Sequence, residues 1–345
     1  MAAGAYILGP AGPVLAPDEA AFFRDADPWG FILFTRNLEA PDQVRSLTAA
    51  LRDAVGRDAP ILIDQEGGRV QRLRPPMARE WLPPLDQVAA TGPQAARGLC
   101  LRSQIIALEL GALGIDTNCT PCADIAGPDT HPFLRNRCLG TEAPQVAENA
   151  RAVIDGQLMN GVLPVLKHIP GHGRATKDSH KALPVVDASA ATLRETDFAP
   201  FRALAELPVM AMTAHVVYTA FDPDLPATIS PTMIRLIREE IGFDGLLMTD
   251  DLSMEALPGS IGERSAAGIA AGCDLALHCN GDRAEMEAVV AAAGTLSDTA
   301  ARRAAETLTL RRAPASSIDN EAAVLEYALQ KLIEGGGNDP EFDRD

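Results

Sequence analysis

Eight short apolar runs, each closed by polar residues, glycine or proline, recur along the chain. They are AYILG (5–9), GFILF (30–34), PILID (60–64), IDTNCTP (115–121), VLPVLKH (162–168), VMAMTAH (209–215), GLLMTD (245–250) and CDLALHC (273–279). Runs this apolar read as strands buried on both faces. Between them the spacing of apolar residues becomes helical. APDQVRSLTAALRDAVG (40–56) opens on Pro-Asp, and PQVAENARAVIDGQLMNG (144–161) runs on to a glycine stop. SPTMIRLIREEIG (230–242) has a Ser-Pro start and a glycine stop.

Buried strands alternating with helices predict an α/β fold, either a closed (β/α)8 barrel or an open doubly wound sheet. The polar residues favour the barrel. Arg36 and Asn37, Asp64 and Glu66, Asp124, Lys167 and His168, His215, Asp250 and Asp251, and Asn280 all fall at or just past a strand's C-terminal end. In a barrel those ends share one mouth, whereas an open sheet would gather only those at its switch point. Residues 1–315 are therefore expected to form a single catalytic barrel domain. A C-terminal helix is expected from 316, ending in the Gly-rich acidic tail GGNDPEFDRD, which should fray.

Composition narrows the partners more than the fold. The 345 residues carry a net charge of −17, which would be repelled by nucleic acid and by anionic membranes. No apolar run approaches the roughly 18 residues that span a bilayer. The N-terminal stretch lacks the basic segment of a secretory signal. The six cysteines lie mostly in apolar runs and read as small buried thiols. CTPC (119–122) has no second pair with which to build a zinc ribbon, so it reads as packing. The reducing cytoplasm fits these features best, and a monomer is expected.

The densest chemistry lies in KHIPGHGRATKDSHKALP (167–184), with His168, His172, His180 and Asp178. His168 and His172 are spaced like two helical metal ligands, but Pro170, Gly171 and Gly173 forbid a helix there. GHG lacks the spacing of a phosphate loop. A solvated loop with incidental histidines is the plain alternative. Proton transfer suits the residues best, because Asp178, two positions before His180, can accept an imidazole N–H and hold the ring ready to give or take a proton. The glycines would let that loop close over a substrate.

Two further stretches stand out. MTDD (248–251) ends a strand in two carboxylates, of which strand alternation sends at most one into the mouth. Asp250 would be the chemical one and Asp251 an N-cap for a helix beginning at LSMEAL. IDQEGGRVQRLR (63–74) sets Asp64 before a tight Gly-Gly turn and three arginines, either as a salt-bridged turn or as a holder for a hydroxyl-rich ligand.

KHIPGHGRATKDSH, IDQEGGRVQRLR, NRCLG and MTDDLSM, in the same chain, resemble the family 3 glycoside hydrolases of the β-N-acetylglucosaminidase type. Within that family the likeness is to bacterial cytoplasmic enzymes that recycle peptidoglycan. ILFTRN, GIDTNCTPCADI, MTAHVVY with PATIS, and AAGCDLALHCN extend the likeness over about residues 5 to 300. The resemblance implies one barrel domain and a retaining mechanism through a covalent glycosyl-enzyme. By the motif match it implies Asp250 as nucleophile, His180 as general acid/base with Asp178 as its partner, and sugar binding at Asp64, Arg72, Arg137, Lys167 and His168. It calls for no metal and no cofactor. Ile169 and Thr249 stand where relatives often carry phenylalanine and serine, and neither change removes a group the chemistry needs.

The expected activity is removal of a terminal N-acetylglucosamine from a small carbohydrate, a muropeptide fragment ending in 1,6-anhydro-N-acetylmuramic acid. A substrate-assisted hexosaminidase, a metal-dependent barrel hydrolase and an inactive glycan-binding protein are the rivals.

Overall fold

The computed structural model describes residues 2–176, 183–312 and 318–335. The eight apolar runs form eight parallel strands: β1 (Gly4–Leu8), β2 (Pro28–Leu33), β3 (Ile61–Ile63), β4 (Thr117–Asn118), β5 (Leu163–Ile169), β6 (Met210–Thr213), β7 (Leu247–Asp251) and β8 (Leu275–His278). They pair in chain order, and β8 returns to pair with β1, so the sheet is a closed barrel. The open-sheet alternative is thereby excluded.

Side chains along each strand alternate between two cores. Ile7, Ile32, Leu62, Val165, Met210, Met212, Met248, Leu275 and Leu277 fill the barrel interior. Their neighbours Leu8, Phe31, Leu33, Ile61, Ile63 and Ala276 face outward into the layer beneath the helices. Both sides of the sheet are dry, which is why the strands are apolar throughout.

The covering helices are α1 (Pro17–Ala26), α2 (Pro41–Val55), α3 (Ala95–Gly111), α4 (Ala143–Met159), α5 (Ala199–Leu204), α6 (Pro231–Leu236), α7 (Ile261–Ala271) and α8 (Arg283–Ala293). Their ends follow the local chemistry. Proline occupies the start of α2, and Gly56 closes it at φ 64°, a left-handed conformation that glycine adopts without strain. Ser230 caps α6 by accepting the Met233 N–H at 3.1 Å.

The run predicted as a strand over 115–121 is cut to two residues. Pro121 lacks the N–H a ladder needs. The chain there still leans on β5, which donates Val165 N–H to the Thr120 carbonyl and Lys167 N–H to that of Pro121.

Beyond the barrel lie α9 (Asp298–Leu308) and α10 (Ile318–Ile333). The latter packs on α3, burying Ala322, Leu329 and Leu332, and Glu326 pairs with Arg79 at 2.8 Å. The acidic tail from 336 onward lies outside the described residues.

Candidate active site

The C-terminal end of β3 leads into a hairpin, Gln65–Gly67 against Val70–Gln71. Gly67 (φ 103°) and Gly68 (φ 57°) make the turn, as their spacing in the sequence suggested. An extended chain sends residues two apart to the same side. Asp64 and Glu66 accordingly meet the same ammonium, Lys167 Nζ, at 2.9 and 2.6 Å. Asp64 also accepts from Arg72 at 2.9 Å, and Glu66 takes Arg137 in a two-pronged pair at 2.8 and 2.9 Å. Of the three arginines in the stretch only Arg72 reaches Asp64. Arg74 turns to Glu80, and Arg69 lies over the Phe133 ring, 3.7 Å from its centre.

Burial pushes the Asp64 carboxyl up, but Lys167 and Arg72 outweigh it and hold it well below the usual range. Glu66 is driven down to about 2 in the same way, with Arg137 and Lys167 outweighing its desolvation. Burial lowers the Lys167 ammonium less than Asp64 and Glu66 raise it, so it stays charged. Two carboxylates thus face three cations, which leaves this wall of the mouth one positive charge in excess.

His168 follows Lys167 on β5. Its Nδ1 lies 2.7 Å from the buried Asp124 carboxylate, which can only accept, so Nδ1 carries the proton and Nε2 faces Arg137 at 3.4 Å. The other Asp124 oxygen accepts the His172 N–H at 2.5 Å. Burial raises the Asp124 carboxyl, yet His168 and His172 bring it down to about 2. His172 is buried, and desolvation followed by His168 lowers its imidazole to about 4, so at neutral pH it is an uncharged wall of the cleft. Cys122, Asp124 and His168 form one group among the described residues with ligand atoms close enough to share an ion. Burial keeps the Cys122 thiol protonated, and it donates to Asp124 at 3.2 Å. A neutral thiol is a poor ligand, so the trio reads as a hydrogen-bonded chain.

Asp250 and Asp251 both line the cleft. This departs from the expectation that alternation would admit one of them. The pairing of β7 with β8 slips between Met248 and Asp251, and such a bulge re-aims the side chains that follow. No helix begins at LSMEAL, and α7 starts only at Ile261. Asp251 instead closes a turn, accepting from the Ser253 N–H at 3.0 Å and hydroxyl at 2.6 Å and from the Cys279 N–H at 3.2 Å. One Asp250 oxygen accepts the Asp251 N–H at 2.8 Å. Burial pushes the Asp250 carboxyl up, but the His215 and His168 rings, the Asp251 N–H and Lys167 outweigh it, so it is ionised at neutral pH.

One cleft of about 110 Å³ at the barrel mouth is lined by Asp64, Arg72, Arg137, Lys167, His168 and Asp250, six of the eight residues singled out from the sequence. It is smaller than the roughly 300–1,000 Å³ of drug-sized ligand sites, so it suits one small ring better than a length of chain. Asp178 and His180 lie outside the described residues. The PGHG stretch, expected as a hinge, is packed. The Tyr218 hydroxyl donates to the Gly171 carbonyl at 2.7 Å, Thr130 donates to that of Gly173 at 2.6 Å, and Ala175 is fully buried. A Cβ at Gly173 would sit 2.2 Å from the Ile125 carbonyl, so the glycine serves close packing there.

Glu66 and Asp124 were not among the site residues read from the sequence. The spacing of two carboxylates in IDQEG on an extended segment was a usable signal for Glu66. Nothing local announces that Asp124, 44 residues from His168, holds its ring.

The ion cluster makes a prediction about stability. Glu66 has its usual value near 4.5 when unfolded and about 2 when folded. The folded state therefore binds fewer protons between those values. Its contribution is complete above the unfolded value and is lost as pH falls through about 2. Asp124, held at about 2, acts in the same direction. Melting temperature should fall steeply as pH is lowered from about 5 to about 2. In Glu66→Gln that acid slope should shrink, with about 3 kcal/mol of stability lost at pH 7 because Lys167 and Arg137 lose a buried partner. Calorimetry across that pH range checks both.

Residues 18–309 match the glycosyl hydrolase family 3 N terminal domain. A β-hexosaminidase of Pseudomonas aeruginosa is 37% identical over 292 residues, covering 84% of this chain and 86% of that protein. NagZ from Neisseria gonorrhoeae superposes with a TM-score of 0.83 at 30% identity, covering 97% of this chain and 98% of that one. It has also been solved in complex with N-trifluoroacetyl-D-glucosamine. A family 3 β-N-acetylglucosaminidase from a Paenibacillus strain superposes with a TM-score of 0.81 at 31% identity, covering 96% of this chain and 66% of that one. With a family domain matching most of its length and relatives of this identity along nearly the whole barrel, the chain belongs to glycosyl hydrolase family 3.

Proposed function

We propose that this glycoside hydrolase is an exo-acting, retaining β-N-acetylglucosaminidase. Its substrate would be a peptidoglycan fragment with a terminal non-reducing N-acetylglucosamine, and its leaving group 1,6-anhydro-N-acetylmuramic acid, with or without peptide. The observation that carries this reading is an ionised Asp250 carboxylate in a one-ring cleft, beside a wall of paired acids and bases that can grip sugar hydroxyls. The β-hexosaminidase relatives and the amino-sugar complex of the Neisseria protein support the same substrate class.

In this mechanism Asp64, Arg72, Arg137, Lys167 and His168 hold the sugar. Their mutual pairing keeps each oriented before the substrate arrives. An Asp250 oxygen attacks the anomeric carbon while the bond to the leaving oxygen breaks. His180, oriented by Asp178, protonates that oxygen and then takes a proton from the water that displaces Asp250. In the same reading the enzyme works as a monomer in the cytoplasm.

Hydrolysis of a chromogenic N-acetylglucosaminide, followed by release of N-acetylglucosamine from the anhydro-disaccharide, tests the proposal. Turnover of both is expected, unaffected by chelators and with the β-anomer formed first. No turnover of either would leave a glycan-binding protein as the better description. Loss of activity with chelator and its return with zinc would favour a metal hydrolase.

A further inference from the structure

We infer that His215 is a positioning residue for the nucleophile, acting through the backbone of Asp251. This rests on the proposal that Asp250 attacks the sugar. His215 follows β6, is fully buried and does not line the cleft. Its Nε2 lies 3.0 Å from the Asp251 carbonyl oxygen. A carbonyl only accepts, so Nε2 carries the proton. Nδ1 then accepts from the Thr228 hydroxyl at 2.7 Å, and Thr228 in turn lies 2.8 Å from the Thr213 hydroxyl. Burial lowers the His215 imidazole further than the nearby Asp250 charge raises it, so the ring is neutral at neutral pH. Both ring nitrogens are engaged in these hydrogen bonds. The ring therefore moves no proton in the reaction, and the work left to it is to hold Asp251.

Residue 251 is gripped on every polar group. His215 holds its carbonyl, Ser253 and Cys279 hold its carboxylate, and its own N–H is given to Asp250. That last bond fixes one Asp250 oxygen and leaves the other for attack. The pairing of β7 with β8 shifts register between Met248 and Asp251 before it resumes at Asp251 and Leu277, so the ladder is irregular just before Asp251. The Asp251 carbonyl also accepts the Met254 N–H at 3.2 Å, and Leu252 donates to Leu277 at 2.9 Å. His215 adds a side-chain constraint that comes from beyond β6.

His215→Leu removes both contacts, while His215→Gln can still donate to the Asp251 carbonyl and accept from Thr228. The leucine variant is expected to lose about 100-fold in kcat on a chromogenic N-acetylglucosaminide, the scale of a misplacement of about 1 Å at a reacting group. KM, and the inhibition constant of N-acetylglucosamine, should stay within about twofold, since the sugar-holding wall is untouched. The glutamine variant should recover most of the loss, and Thr228→Val should fall between the two. In crystal structures of the variants, the Asp250 carboxylate should leave the Asp251 N–H with leucine and keep it with glutamine. That readout needs no substrate, so it stands even if the parent hydrolyses no N-acetylglucosaminide, a result that would sink the functional reading alone. Parental kcat in His215→Leu, equal losses in both His215 variants, or an unmoved Asp250 in the leucine variant would overturn the inference.

Discussion

Asp250→Ala is expected to lower kcat on the order of 10⁵-fold, the scale seen when an enzyme loses its nucleophile. The loss should be nearly the same on activated and natural leaving groups, because no covalent intermediate can form with either. KM should change little, since the ion pairs among Asp64, Glu66, Lys167, Arg72 and Arg137, the wall proposed to hold the sugar, remain intact without it. The space left by the carboxylate offers a route for a small external anion. Azide should restore part of the activity on an activated aryl glycoside and yield the glycosyl azide of inverted configuration. A 5-fluoro-N-acetylglucosaminyl fluoride should label the parent at Asp250, as seen by mass spectrometry of the digested protein. Full turnover without an adduct at Asp250, combined with an active Asp250→Ala variant, would point to attack by the substrate's own acetamido oxygen.

The second large effect concerns His180, and its size should depend on the leaving group. General acid catalysis is worth roughly 10²–10⁴ in rate. A sugar alkoxide is a poor leaving group and needs that proton, whereas an activated phenolate departs without it. His180→Ala should therefore lose about 10³-fold or more on the anhydro-disaccharide and far less in its first step on an activated aryl glycoside. On the aryl substrate the slow step should become hydrolysis of the glycosyl-enzyme, which appears as a burst of released phenol. Asp178→Asn should shift both quantities in the same direction by a smaller amount, because the imidazole stays and loses only its orienting partner. Equal losses on the two substrates would make His180 structural.

The contrast between Asp250 and Glu66 shows how much of the site was legible in the sequence. Asp250 ends an apolar strand, and a carboxylate in that place in a barrel points toward the mouth. The sequence places Glu66 at the mouth beside Asp64, but with no role of its own. Its importance depends on Lys167 and Arg137, which come from 71 to 101 residues away in the chain and arrive only when β3, the segment past β4 and β5 are assembled. His172 shows what spacing leaves out. In the sequence it stands out only for its spacing from His168, whereas the fold buries it against Asp124 and removes its charge.

Local sequence determined where the eight strands lie and the helical stretches 40–56, 144–161 and 230–242 with their stops, because these follow from apolar spacing, proline at helix starts and glycine at turns. It did not determine the short extent of β4 or the absence of a helix at LSMEAL. It also determined which chemical groups reach the barrel mouth, since strand ends are local features. The tertiary structure alone decided how those groups pair, which of them are charged, and how β7 aims two adjacent aspartates into one cleft. Pairing, desolvation and strand register all depend on residues far apart in the chain. An ionised Asp250 held by the Asp251 N–H, with His215 behind it, exists only where β6, β7 and β8 lie side by side.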